Sequence, residues 1–171
     1  MRDHFKLLAV VALVTMVTML AGCGKKTEDT GPESGAAPLP TAATLGEQVV
    51  LTAEEYLATA PFATASRTRG ENQAQVCKAC HILDKSGPNM IGPALHGIFG
   101  RDVGTLSGFA YSAAMRNADF VWTPDAMNAW LAQPGRFLPG NQMMVANVSR
   151  QADREDLIAY LLDVTTTTGA K

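Results

Sequence analysis

The chain is short of cysteine, of net charge and of long apolar runs, and each shortage removes a class of protein. Of its 171 residues only three are cysteines, Cys23, Cys77 and Cys80, too few for the disulfide framework of a small secreted domain. Fourteen basic residues against 16 acidic ones leave a formal charge of -2. Without a basic field to neutralise phosphates, nucleic acid is not an expected partner. The apolar run from Leu7 to Leu20 has about 14 residues where a membrane-spanning helix needs about 20. No stretch alternates with period two for long enough to make a strand, and no segment repeats. What remains is one helical domain, for which the length suffices to bury a proper core.

Among the residues that are present, Cys77-Lys78-Ala79-Cys80-His81 stands out as the one Cys-x-x-Cys-His run. Two thiols three positions apart on a helical turn can each bond a haem vinyl group, and the adjacent imidazole is then presented to the iron. The same pair suits half a zinc site or a redox dithiol, and the pentapeptide alone leaves these open. The start of the chain bears on the choice. Arg2 and Lys6 precede the apolar run, and the small residues Ala21 and Gly22 follow it, the pattern of an export signal over residues 1–22. Leu20-Ala21-Gly22-Cys23 resembles the lipobox of bacterial lipoproteins, which implies cleavage before Cys23 and acylation of its thiol, with membrane lipid as a partner and the protein facing the periplasm or cell exterior. With Cys23 so used, a lone exported pair is left, and only His96 or a carboxylate is available to complete a zinc site. Haem is the better explanation.

Composition divides the rest. Residues 23–48 hold the lipid anchor and a Thr, Gly, Pro, Ala and Ser-rich flexible linker, which over about 22 residues spans roughly 25 Å. Residues 49–69 form an N-terminal extension in which Thr52-Ala53-Glu54-Glu55 fits a capping box before Pro61, either a short helix or ordered linker. The haem domain is expected over 70–171. Its first helix spans Glu71 to Ala79 and delivers both cysteines; glycine and proline between Ile82 and Gly108 call for loops. Ser112 to Ala118 reads as a short helix. Thr123-Pro124-Asp125 opens a better one, with Met127, Trp130 and Leu131 on one face and Pro134 as its stop. A loop to Val148 follows, then a last helix over Arg150 to Val164 that buries Leu157, Ile158, Leu161 and Leu162.

An iron held by His81 has a sixth position, and Met90, Met115, Met127, Met143, Met144 and His96 all compete for it. Met143 and Met144 cannot both ligate from an extended chain, because adjacent side chains point apart. Beyond the pentapeptide, Gly92-Pro93-Ala94-Leu95-His96-Gly97, Gly100-Arg101, Gly108-Phe109-Ala110-Tyr111-Ser112, Trp122, Pro139-Gly140-Asn141-Gln142-Met143 and Arg154-Glu155-Asp156-Leu157-Ile158-Ala159-Tyr160-Leu161 follow in order. In this the chain resembles the class I cytochromes c over roughly residues 70–164. The resemblance implies an all-α fold of three to five short helices and loops wrapped around one covalently bound haem c. It makes Cys77 and Cys80 the attachment points, His81 and Met143 the iron ligands, and Met144 a packing residue. It further implies that the Pro93 carbonyl orients His81 and that Arg101, Tyr111 and Trp122 hydrogen-bond the haem propionates, while His96 has no ligand role.

The chain departs from the family in several places. Trp130 stands where mitochondrial members carry a tyrosine near the ligating sulfur, so that an indole N–H is the available substitute for the hydroxyl. Met115 replaces an asparagine, Asn141 a threonine, and the first helix has Gln73 and Ala74 instead of an aromatic. The lysine ring of the mitochondrial proteins is missing. Removal of residues 1–22 takes away Arg2, Lys6 and Asp3 and leaves 12 basic and 15 acidic residues, about -3. The expectation is a monomeric, membrane-anchored mono-haem carrier of single electrons between respiratory or photosynthetic redox proteins, not an enzyme. A peroxidase-like enzyme or gas sensor with an open sixth position, and a fixed subunit of an oxidoreductase complex, are the alternatives.

Overall fold

The computed structural model describes residues 39–85, 87–143 and 147–166. The expected signal segment, Cys23, most of the expected linker and Met144 lie outside the described residues. Among the described residues six α-helices follow in order: α1 (Ala53–Leu57), α2 (Arg67–Lys78), α3 (Ala113–Asn117), α4 (Pro124–Ala132), α5 (Pro134–Phe137) and α6 (Gln151–Thr165). Single 3-10 turns stand at Ala42–Thr44 and Phe62–Thr64. Extended pairing among the described residues is limited to one isolated antiparallel bridge, Asp102 to Val121. No helix of the described residues is long and apolar enough to cross a membrane.

Helix α2 opens at Arg67 and not near Glu71, because Ser66 caps it by accepting from the Arg69 N–H at 3.3 Å. Gly70, which reads as a boundary, is instead the residue where α2 lies against α6. A β-carbon there would stand 2.1 Å from the Asp156 carbonyl oxygen and 2.7 Å from the Tyr160 β-carbon. The helix buries only Gly70 and Ala74, so its contact face is made of small residues and leaves little periodic signal. Asp156, 2% exposed, pins the same junction. It accepts from the Ser66 N–H at 2.6 Å and from Arg69 Nε at 2.6 Å.

Helix α6 supplies the apolar partner. Leu157, Ile158, Leu161 and Leu162 are each at most 1% exposed, and burying a side chain of this size is worth about 1.5–3 kcal/mol. Helix α4 forms as its first residues dictate: Thr123 accepts from the Ala126 N–H at 3.2 Å, and Pro124 occupies the first position. Pro134 does end it, but no plain loop follows. A proline at a first helical position costs nothing, and Pro134 starts the turn of α5. Phe120, Trp122, Trp130 and Phe137 form a closed ring of edge-to-face contacts, with neighbouring centroids 4.9, 5.5, 6.0 and 5.3 Å apart.

The N-terminal part is attached more extensively than its composition suggests. Thr52 and Glu55 make the capping box of α1, with Thr52 N–H donating to Glu55 Oε2 at 2.8 Å. Part of the expected linker is held too: Leu39, Ala42 and Leu45 pack against the core. The Gln48 side chain donates to the Val121 carbonyl at 2.7 Å and accepts the Val121 N–H at 2.8 Å. A glutamine amide can mimic a neighbouring strand in this way, and only the fold reveals which backbone it meets. From Leu39 onward the described chain therefore belongs to the domain.

Candidate haem site

Helix α2 ends at Lys78, and the chain turns back on itself through the Cys80 and His81 N–H groups, which donate to the Cys77 carbonyl at 3.0 and 2.9 Å. Cys77, Cys80 and His81 consequently share the wall of one cavity of about 270 Å³. His81 Nδ1 lies 2.7 Å from the Pro93 carbonyl oxygen. A carbonyl only accepts, so Nδ1 carries a proton, and in the neutral imidazole the lone pair is then on Nε2. Gly92 makes room for this ring, since a β-carbon there would stand 2.2 Å from His81 Cε1. Burial pushes the Cys77 thiol above its ordinary range.

The remaining predicted residues converge on the same cavity. Pro93, Arg101, Tyr111, Trp122 and Met143 all line it, together with Leu95, Ile98, Phe109, Leu131 and Leu161. Arg101 spends donors on its own loop: Nε to Gly97, Nη1 to Ala94 and Nη2 to His96, at 3.2, 3.3 and 2.7 Å. Burial pulls its pKa below the usual value, and the adjacent Tyr111 hydroxyl opposes that; burial likewise pushes the Tyr111 phenol up, against the Arg101 charge. Trp122 is 5% exposed and lines the cavity beside them. An apolar cavity with two thiols, an imidazole presenting a lone pair, a thioether and polar donors on its wall fits a haem with anionic substituents.

Of the methionines, Met115, Met127 and Met143 reach this cavity, whereas Met90 is 44% exposed and absent from its lining. Met144 falls outside the described residues. His96 lines a different cavity with Asp84, Lys85 and Asn89, and its ring nitrogens are buried with no partner among the described residues. Met143 is singled out by its setting, for its sulfur accepts the Trp130 indole N–H at 3.1 Å. The indole thus takes the place expected for a hydroxyl. Sequence reasoning gave no role to Val76 and Ile91, which line the cavity yet are 59% and 81% exposed. Their positions, just before Cys77 and just before Gly92-Pro93, were the available signal for a rim.

No family model matches the chain. It is 40% identical over 89 residues to a cytochrome c of Gibberella zeae, a match covering 52% of this chain and 84% of that protein. With a cytochrome c homolog of Bradyrhizobium diazoefficiens it shares 42% over 99 residues, 57% of this chain and 54% of the relative. With cytochrome c2 of Blastochloris viridis it shares 37% over 102 residues, 60% and 80% of the two chains. From these identities, the helical fold and the cavity that gathers Cys77, Cys80 and His81, we conclude that the chain belongs to the class I cytochrome c family, whose members carry one covalently bound haem c.

Proposed function

We propose that the protein is a membrane-anchored mono-haem cytochrome that passes single electrons between redox proteins in or near a bacterial membrane. The observation that carries this reading is the meeting of Cys77, Cys80, His81 and Met143 on one cavity, with the imidazole already oriented by Pro93. Cys77 and Cys80 would hold the haem covalently, and His81 Nε2 and the Met143 sulfur would be the ligands to its iron. The bound haem supplies Fe(III)/Fe(II) exchange. The chain's part is to keep both ligands in place in either state, so that little reorganises on transfer. The Pro93 carbonyl holds the imidazole proton at Nδ1, and Trp122, Tyr111 and the N–H groups that Arg101 does not spend on its loop would be the donors to the propionates. The buried aromatic and aliphatic wall excludes water, which together with methionine ligation keeps the potential high.

Val76 and Ile91 give the rim an apolar character where a basic ring is lacking, so a partner docks there with weak dependence on salt. Acylation of Cys23 holds the domain close to the membrane and raises its effective concentration for partners there. Two experiments test these assignments. The oxidised protein is expected to show the sulfur-to-iron charge-transfer band, which Met143→Ala abolishes while the haem stays attached. Rapid carbon monoxide binding by the reduced wild type would instead reveal an open sixth position, and with it enzyme or sensor chemistry. Cys23→Ser is expected to release the protein from membranes without changing its spectrum; a variant that stays bound refutes the anchor.

A further inference from the structure

We propose that Asn141 is the positioning residue that keeps Met143 on the iron, an inference that rests on Met143 being the sixth ligand. Its side-chain amide uses both of its ends. Nδ2 donates to the Pro134 carbonyl at 2.9 Å and to the Leu138 carbonyl at 2.8 Å, and Oδ1 accepts the Met143 backbone N–H at 2.8 Å. The orientation of the amide is set by these partners, because two carbonyls require donors and an N–H requires an acceptor. Pro134 is the first residue of α5, and the Leu138 carbonyl also accepts the Asn141 N–H at 3.2 Å across the turn through Pro139 and Gly140. The ligand residue is thereby fastened to a helix by one side chain. Asn141 also lines the cavity, but its three polar bonds are all directed into the protein.

The need for such a fastening follows from the ligand. A thioether is neutral and weakly bound, and methionine has three rotatable bonds. Whether it or a dissolved ligand occupies the iron then depends on how much freedom the loop regains when the sulfur leaves. Asn141 limits that freedom at the residue two positions before the sulfur. Aspartate at this position would face two carbonyl oxygens with a carboxylate, and threonine has one donor where two are used.

The test is a spectrophotometric titration of the oxidised holoprotein with imidazole, following loss of the sulfur-to-iron band. Three hydrogen bonds at the low end of their net worth amount to about a tenfold change in an equilibrium constant. Asn141→Ala is therefore expected to bind imidazole about tenfold more tightly than wild type. Gln48→Ala, which loses two hydrogen bonds to Val121 away from the cavity, is expected to lower stability and leave the imidazole affinity within about twofold. If Asn141→Ala does not fold, Asn141→Ser replaces it, with an expected increase of about fivefold because a hydroxyl retains one of the three bonds. Unchanged imidazole affinity with the band intact overturns the proposal, as does an equal rise in Gln48→Ala, which would mean general loosening. A wild-type protein with no band overturns the assignment of Met143, and this proposal with it.

Discussion

Replacing Trp130 by phenylalanine should lower the reduction potential while Met143 stays bound. The indole N–H donates to the Met143 sulfur at 3.1 Å, and Trp130 is only 4% exposed, so water does not compete for the bond. A donor on the thioether withdraws density that the sulfur would otherwise give to the iron. That favours Fe(II), the state with less need of donation, and raises the potential. A neutral hydrogen bond nets about 0.5–1.5 kcal/mol, and a thioether is a weak acceptor, so about 0.5–1 kcal/mol is at stake. At 59 mV per tenfold for one electron, this is a fall of roughly 20–40 mV in Trp130→Phe. Phenylalanine keeps an aromatic face toward Trp122 and Phe137, whose centroids lie 5.5 and 6.0 Å from that of Trp130. Potentiometric titration, with the charge-transfer band recorded on the same sample, measures the shift. A potential that is unchanged or higher, with the band intact, refutes the argument.

Other substitutions probe the scaffold. Gly70→Ala puts a β-carbon within 2.1 Å of the Asp156 carbonyl oxygen; the helices must separate, and a loss of about 3 kcal/mol, seen as a fall in Tm of about 10 °C or more, is expected. An unaltered Tm would show that α2 and α6 do not meet there as described. Gly92→Ala drives a methyl group into the His81 ring, and its signature is a disturbed spectrum with covalent haem retained; a wild-type spectrum would count against the ring position. Burial raises the Asp156 carboxyl, but hydrogen bonds from Arg69 and the Ser66 N–H, with the Arg69 charge, outweigh it and hold the pKa below the ordinary value. Such a group stabilises the fold above its unfolded pKa of about 3.9, and that stabilisation is lost as pH falls through the lower folded value. Asp156→Asn should therefore cost about 2 kcal/mol in denaturant unfolding at pH 7, with the gap from wild type narrowing below about pH 4. A gap independent of pH contradicts the assignment.

Some of this protein was written locally and could be read without a fold. Covalent haem attachment needs two thiols and an imidazole at fixed short spacing, so Cys77, Cys80 and His81 declare themselves. Caps are equally local, and Thr52 with Glu55, and Thr123 with Pro124, begin their helices as expected. Leu157, Ile158, Leu161 and Leu162 of α6 are legible as apolar residues at helical spacing, although the helix proves buried on every side from Asp156 to Leu162. Tertiary structure decided what depends on residues distant in the chain. Glycine carries no side chain to signal a contact, so Gly70 is recognisable as a helix crossing only once α6 is in place. Arg154, 4% exposed, makes no ion pair among the described residues but donates to Asn128 and to the Val148 and Ser149 carbonyls, a set no spacing rule anticipates. Gln48 holds Val121 across more than seventy residues, which brings part of an apparent linker into the domain. For the sixth ligand, sequence order and family likeness favoured Met143, while Met115 and Met127 reach the same cavity. What sets Met143 apart is its neighbours, Trp130 on the sulfur and Asn141 on the backbone, and neighbours of that kind exist only after the chain has folded.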